Sequence, residues 1–167
     1  MPHLVCRSPR FNVEHLEDRS LPSSYTVASV SALIADINAA NTAGGVNTIT
    51  LTAATTSPYS LTAVNNTTNG ATRLPVIAAK DNLTIIGNGD TIERSTATGT
   101  PDFRLLDVAN GGSLTLEQLT LQGGTTIAIN GKSGMDGGGI YNLGTLLLNG
   151  VTVQDNVAGL SGTISPN

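Results

Sequence analysis

Tryptophan is absent from this sequence, which carries two Phe, three Tyr and a single Cys in 167 residues. With aromatics at only 3%, a core must be assembled from Leu, Ile, Val and Ala. One cysteine excludes an internal disulfide framework. Charge is scarce too: 12% of the residues are Asp, Glu, Lys or Arg, against roughly 25% in an ordinary domain. Eight basic residues, a net charge of −4 and a pI near 4.9 exclude a basic nucleic-acid-binding surface. No apolar run approaches the roughly 20 residues of a membrane-crossing helix. The apolar fraction is nevertheless 39%, whereas a disordered chain combines high charge with few apolar groups. What fills the space is Thr, Asn and Gly, about a third of the chain, a composition suited to tight turns and short strands. The length suits one domain.

Residues 1–24 differ from the rest. Arg7, Arg10 and Arg19 are offset there by Glu14, Glu17 and Asp18, so residues 25–167 hold the whole net charge. A secretory signal needs a continuous apolar stretch of about 7–15 residues, and this segment has only scattered Leu4, Val5, Phe11, Val13 and Leu16. Cys6 has no partner, and too short an apolar stretch precedes it for a lipoprotein anchor. The run Arg10 to Pro22, with Leu16-Glu17-Asp18-Arg19-Ser20-Leu21 inside it, resembles the Leu-Glu-x-Arg-x-Leu sorting segment at the start of many large bacterial surface proteins. That resemblance implies delivery to the cell envelope or exterior. A solvated tail is the plainer reading of the same residues.

After Pro22 a short extended run, Tyr25 to Val30, leads into one helix. Leu33, Ile34, Ile37 and Ala40 form a single apolar stripe, Ser29 or Ser31 can cap its start, and Gly44-Gly45 stops it. Thr48-Ile49-Thr50-Leu51 alternates as a strand does. Residues 52–72 read as a loop that decorates the fold. Leu83-Thr84-Ile85-Ile86 and Arg104-Leu105-Leu106-Asp107-Val108 are short β runs, each closed by Gly and Asn. Leu114, Leu116, Leu119 and Leu121 then recur at a constant offset as Leu146, Leu148, Val151 and Val153. Fixed-period self-similarity means stacked units. Asn149-Gly150 could turn a hairpin, but three-residue arms are too short for an independent one. The expected fold is all-β: a short, right-handed, single-stranded parallel β-helix with an N-terminal capping α-helix, Leu and Val facing in and Thr, Asn and Gln facing out.

Several motifs in order carry a resemblance to the bacterial right-handed parallel β-helix, pectin-lyase-like family. Leu33-Ile34-Ala35-Asp36-Ile37-Asn38-Ala39-Ala40-Asn41, Gly44-Gly45 and Asn47-Thr48-Ile49-Thr50-Leu51 are similar to its N-terminal cap. Leu74-Pro75-Val76-Ile77, Leu83 to Gly89, Thr91 to Ser95 and Phe103 to Val108 resemble its first coils. Gly137-Gly138-Gly139-Ile140-Tyr141-Asn142 is similar to the Gly-Gly-x-Ile repeat of polymorphic outer-membrane proteins, although Val153-Gln154-Asp155-Asn156 departs from their Phe-x-x-Asn. On this reading residues 1–24 are a sorting or tail segment. A capped β-helix spans 25–158, with the cap at 26–51 and coils at about 74–158, and 159–167 form a flexible tail. The resemblance further implies an extracellular or cell-envelope protein, longer than the sequence in hand.

Enzymes of that family place clustered carboxylates on one face. Calcium asks for six to eight oxygen ligands, and glycoside hydrolysis for paired carboxylates. The carboxylates beyond the cap are Asp81, Asp90, Glu93, Asp102, Asp107, Glu117, Asp136 and Asp155, most of them beside Gly or Asn. They read as solvated turn residues. Glu93-Arg94 and Arg104-Asp107 read as an exposed ionic strip, and Asn142, Asn149 and Asn156 as corner residues. Gly87-Asn88-Gly89-Asp90 and Asp136-Gly137-Gly138-Gly139 fall short of a calcium-binding nonapeptide repeat and read as tight turns. Both His3 and His15 lie in the first segment, so no Ser-His-Asp set is available. Asn65, Asn66 and Asn82 begin Asn-x-Thr triplets. The expectation is therefore a non-enzymatic surface module of structural or adhesion type. It has no catalytic, cofactor or metal residues, and its partner is a surface polysaccharide or another surface protein. The alternative is a fragment of a polysaccharide-binding or polysaccharide-cleaving β-helix enzyme. An open last coil would allow end-to-end self-association.

Overall fold

A computed structural model describes residues 22–127 and 135–159. The expected sorting segment, with His3, Cys6 and His15, and residues 160–167 lie outside the described residues. The elements in chain order are β1 (Ser23–Val27), α1 (Val30–Ala43), β2 (Gly45–Leu51), β3 (Tyr59–Leu61), β4 (Asp81–Ile86), β5 (Thr91–Arg94), β6 (Leu106–Val108), β7 (Ser113–Glu117), β8 (Thr120–Gln122), β9 (Ile140–Asn142), β10 (Thr145–Asn149) and β11 (Thr152–Gln154). Every strand pair is parallel and joins one coil to the next. The chain is a parallel β-solenoid of about three turns. One face runs β1-β2-β4-β7-β10, a second β3-β5-β8-β11 and a third β6-β9. Single bridges extend the third face, Thr72 to Arg104 and Ile77 to Val108.

Register explains the periodicity. Leu114 and Leu116 pair with Leu146 and Leu148, and Leu121 pairs with Val153. Ile49, Ile85, Leu116 and Leu148 thus occupy one interior row across four strands. The first three are fully buried. β10 and β11, which flank Asn149-Gly150, pair with β7 and β8 rather than with each other, so no hairpin forms. Three-residue strands would have no local partner to satisfy their amides; the coil above and the coil below supply them.

The helix lids one end of the stack. Leu33, Ile37 and Ala40 are fully buried against β1, β2 and the start of the coils, whereas Ile34 is only half-buried at the edge of the stripe. The Ser29 hydroxyl accepts from the Ala32 amide at 3.3 Å, so Ser29 is the N-cap. Gly44, at φ +62, ends the helix by donating its amide to the Ala40 carbonyl at 2.8 Å; its left-handed backbone favours glycine. The extended run before the helix is shorter than expected, because Val30 already belongs to the helix.

One expectation fails within residues 52–72. Tyr59–Leu61 is a strand of the second face, with Tyr59 and Leu61 buried in the core. The Tyr59 hydroxyl donates to the Val27 carbonyl and accepts from the Thr52 and Ala53 amides, fastening the first coil to β1. The three-residue strand is flanked by Ser, Thr, Asn and Pro, so its alternation is too brief to stand out in the sequence. Its partner β5 defines it.

Candidate functional site

The carboxylates do not gather. Among the described residues no group of three His, Cys, Asp or Glu side chains is placed to hold a metal ion. Asp136 and Asp155 are exposed, and Glu117 ends β7 half-buried. Glu93 accepts from the Gln122 amide at 2.8 Å. Asp102 pairs with Arg94 at 3.1 Å, and Arg94 also donates to the Thr100 and Pro101 carbonyls and lies over the Phe103 ring.

Three carboxylates are not the solvated turn residues that the sequence suggested. Asp81, Asp90 and Asp107 are buried, at 2%, 2% and 0% exposure. Only Asp90 follows a glycine and sits in a turn; Asp81 opens β4 and Asp107 lies within β6. Asp81 accepts from the Asn47 amide at 2.9 Å beneath the helix, and burial pushes its carboxyl above the ordinary value of 3.8. Asp90 sits in the corner between β4 and β5, and burial raises it likewise.

The exposed ionic strip is replaced by a different arrangement. Arg94 turns to Asp102, not to its neighbour Glu93. Arg104 and Asp107 are both buried, and no ion pair forms between them among the described residues. Asp107 instead accepts two hydrogen bonds from the Asn69 amide, at 3.0 and 3.2 Å. The Arg104 guanidinium stacks on the Tyr141 ring, 4.7 Å from its centroid, and its Nε and Nη1 have no hydrogen-bond partner among the described residues. Burial lowers its pKa, opposed by the attraction of Asp107, Tyr141 and Asp136. Asp107 and Tyr141 are in register on β6 and β9 and alternate with the inward Leu106 and Val108, so they lie on the outer side of the third face. They are covered because residues 62–72 fold back over that face, with Asn66 bridged to Thr72.

Beside this cluster lies a cavity of about 430 Å³, walled by Gly70, Ala71, Pro101, Thr125, Ile127 and Met135 among others. Gly70 lies against both the Met135 thioether and the Arg104 guanidinium, so the cavity and the cluster share a wall. A buried cation with two guanidinium nitrogens unpaired among the described residues is costly, and such groups concentrate at places with work to do. Sequence reasoning noticed Arg104 and Asp107 but missed Asn69 and Tyr141. The signal available was register: residues 107 and 141 fall at one position of successive coils.

A second concavity, about 520 Å³, runs along the corner between the first and second faces. Asn88, Gly89, Gln118, Thr120, Gly150 and Thr152 line it, which places the residues after β4, β7 and β10 in one row. Asn88, Gln118 and Gly150 all have positive φ, near +50 to +60. The corners are thus repeats of one backbone turn. Asn156 plays the expected corner role, accepting from the Gly124 amide and donating to the Leu121 carbonyl of the previous coil.

Comparison with family models, curated proteins and solved structures finds no match. The fold therefore stands on its own geometry. No helix among the described residues is long and apolar enough to cross a membrane.

Proposed function

We propose that this chain is a non-catalytic β-solenoid module of the bacterial cell surface or exterior, structural or adhesive in role and pectin-lyase-like in lineage. The observation that supports it most is the outward lattice on the second face. Thr91, Thr120 and Thr152 stack in one row, and Glu93, Gln122 and Gln154 in the next. The second row is cross-linked from coil to coil by side-chain bonds of 2.8 and 2.9 Å. Amides and hydroxyls at strand spacing form a rigid, nearly uncharged surface suited to hydroxyl-rich or peptide partners, a surface polysaccharide or another cell-surface protein. The runner-up is a polysaccharide-binding or polysaccharide-cleaving role, favoured by the buried Arg104, Asp107 and Tyr141 cluster beside its cavity.

Two measurements test these readings. Fractionation and surface labelling of the producing cells should find the protein in the envelope or medium; a purely cytoplasmic protein overturns the proposal. Incubation with plant and bacterial polysaccharides, with and without Ca²⁺, should release no unsaturated or reducing ends. Their release would favour the runner-up.

A further inference from the structure

The lid helix is tethered by two asparagines, and one of them belongs to an unfinished pair. Asn41 donates to the Val76 carbonyl and accepts from the Ala78 amide, both at 2.8 Å. Asn47 is fully buried. Its Nδ2 donates to Asp81 Oδ1 at 2.9 Å and to the carbonyl end of α1, Gly44 at 3.1 Å and Ala40 at 3.3 Å. Asn47 Oδ1 and Asp81 Oδ2 are the remaining oxygens of these two groups, buried and without partners among the described residues. Both are acceptors while Asp81 is ionised, so they cannot bond each other. A proton on Asp81 Oδ2 supplies the missing donor.

We infer that a protonated Asp81 closes a two-bonded acid–amide ring with Asn47, a latch that holds the helix C-terminus in acid and releases it as pH rises. The surroundings favour a proton in that gap. β1, β2 and β3 carry no charged residue, α1 carries only Asp36, and β4 only Asp81 itself. Glu117 of β7 lies beside Ile86 at the far end of β4, and Lys80, next in the chain, is exposed. No cation offsets the burial of the carboxyl, which is opposed only by hydrogen bonds from Asn47 and the Asn82 amide. A calcium ion would need six to eight oxygens, and the Ala40 and Gly44 carbonyls already accept from Asn47.

Ionisation therefore acts locally. It leaves two acceptors unpaired beneath α1 and sets a negative charge at the negative end of its dipole. Asn47 carries that cost to the Ala40 and Gly44 carbonyls. Asn41 has no titratable group, so its tether persists and the opening is confined to the helix C-terminus and the turn into β2.

Carbon-13 NMR of the Asp81 carboxyl, with amide exchange over the same pH range, tests this. The carboxyl should titrate above its ordinary value of 3.8. In the same step the Gly44 amide, bonded to the Ala40 carbonyl, should lose protection, by about tenfold for each pH unit between the closed and open midpoints. The Leu105 amide, bonded to Gly139 on the third face, should keep its protection. Asp81→Asn supplies a donor at every pH and should hold Gly44 protected throughout. An Asp81 carboxyl that titrates at or below its ordinary value overturns the inference, as does Gly44 protection that ignores the Asp81 step. Restoration of that protection at neutral pH by K⁺ or Ca²⁺ would give the gap to a cation and overturn it too.

Discussion

At the scale of single residues the buried acid beneath the lid is the most consequential side chain. Asn47 donates to the Ala40 and Gly44 carbonyls at the helix C-terminus, at 3.3 and 3.1 Å, and to Asp81 on the next coil at 2.9 Å. Asn47 Oδ1 and Asp81 Oδ2 are both buried without partners among the described residues. Two acceptors left facing an apolar interior are costly, and protonating Asp81 turns one of them into a donor. The raised carboxyl binds a proton in the folded state at a pH where the unfolded chain has released it. Its stabilising share is full in acid, below the unfolded value, and is lost as pH rises through the folded value. Asp81→Asn removes that loss. The variant should be more stable than the parent at neutral pH and should flatten the fall in urea midpoint as pH rises above the ordinary carboxyl value; an unchanged slope would place the pH dependence elsewhere. Leucine truncations read the interior row by the same measurement. Leu116→Ala should cost about 2–5 kcal/mol, because nothing refills the space. Thr115→Ala, facing outward, should cost under about 1 kcal/mol. Leu148→Ala, in the same row but partly exposed, should fall near the threonine variant. Equal losses at Leu116 and Leu148 would mean that Leu148 is covered as fully as Leu116.

At the scale of elements, the helix, the Thr48–Leu51 strand and the repeated coils were legible and the Tyr59–Leu61 strand was not. The α1 stripe, its serine cap and its glycine stop are local signals, carried by spacing and by hydrogen bonds within a few residues. Ser29→Ala should therefore destabilise the chain by about 1 kcal/mol, measured by the thermal midpoint. A negligible change would mean that Ser31, 3.1 Å from Ser29 through their hydroxyls, takes over the cap. The Leu114–Leu121 and Leu146–Val153 repeat was legible because identical interior rows demand the same residue type at the same coil position. Tyr59–Leu61 was not legible, since three residues show no period, and their strand character comes from pairing with Thr91–Arg94 some thirty positions away. The cluster on the third face was hidden for a related reason. Asp107 and Arg104 look like surface charges in sequence, and only the fold-back of residues 62–72 buries them. Glycine at 138 marks the same non-local logic: a Cβ there would come within 2.4 Å of the Val157 backbone, so the crossing of two coils requires its absence. Gly138→Ala should consequently destabilise far more than its exposed neighbour Asp136→Ala, by urea midpoint.

At the scale of the whole molecule, a stack bonded only to its nearest neighbours should be least stable where a strand has a coil on one side alone among the described residues. Amide exchange should be slowest in β4 and β7, which have a coil on either side, and fastest in β10 and β11. The solenoid rests on coils that pair in parallel, and spin labelling tests that most directly. In a Cys6→Ser background, nitroxides replacing Thr84 and Thr115 sit at one position of adjacent coils, whose strands lie about 4.8 Å apart, and should broaden each other's spectra strongly. Labels on Thr115 and Gln122 lie on different faces and should not. Broadening of the Thr115 and Gln122 pair without that of Thr84 and Thr115 is the signature of a hairpin folded at Gln118-Leu119, and it would contradict the solenoid.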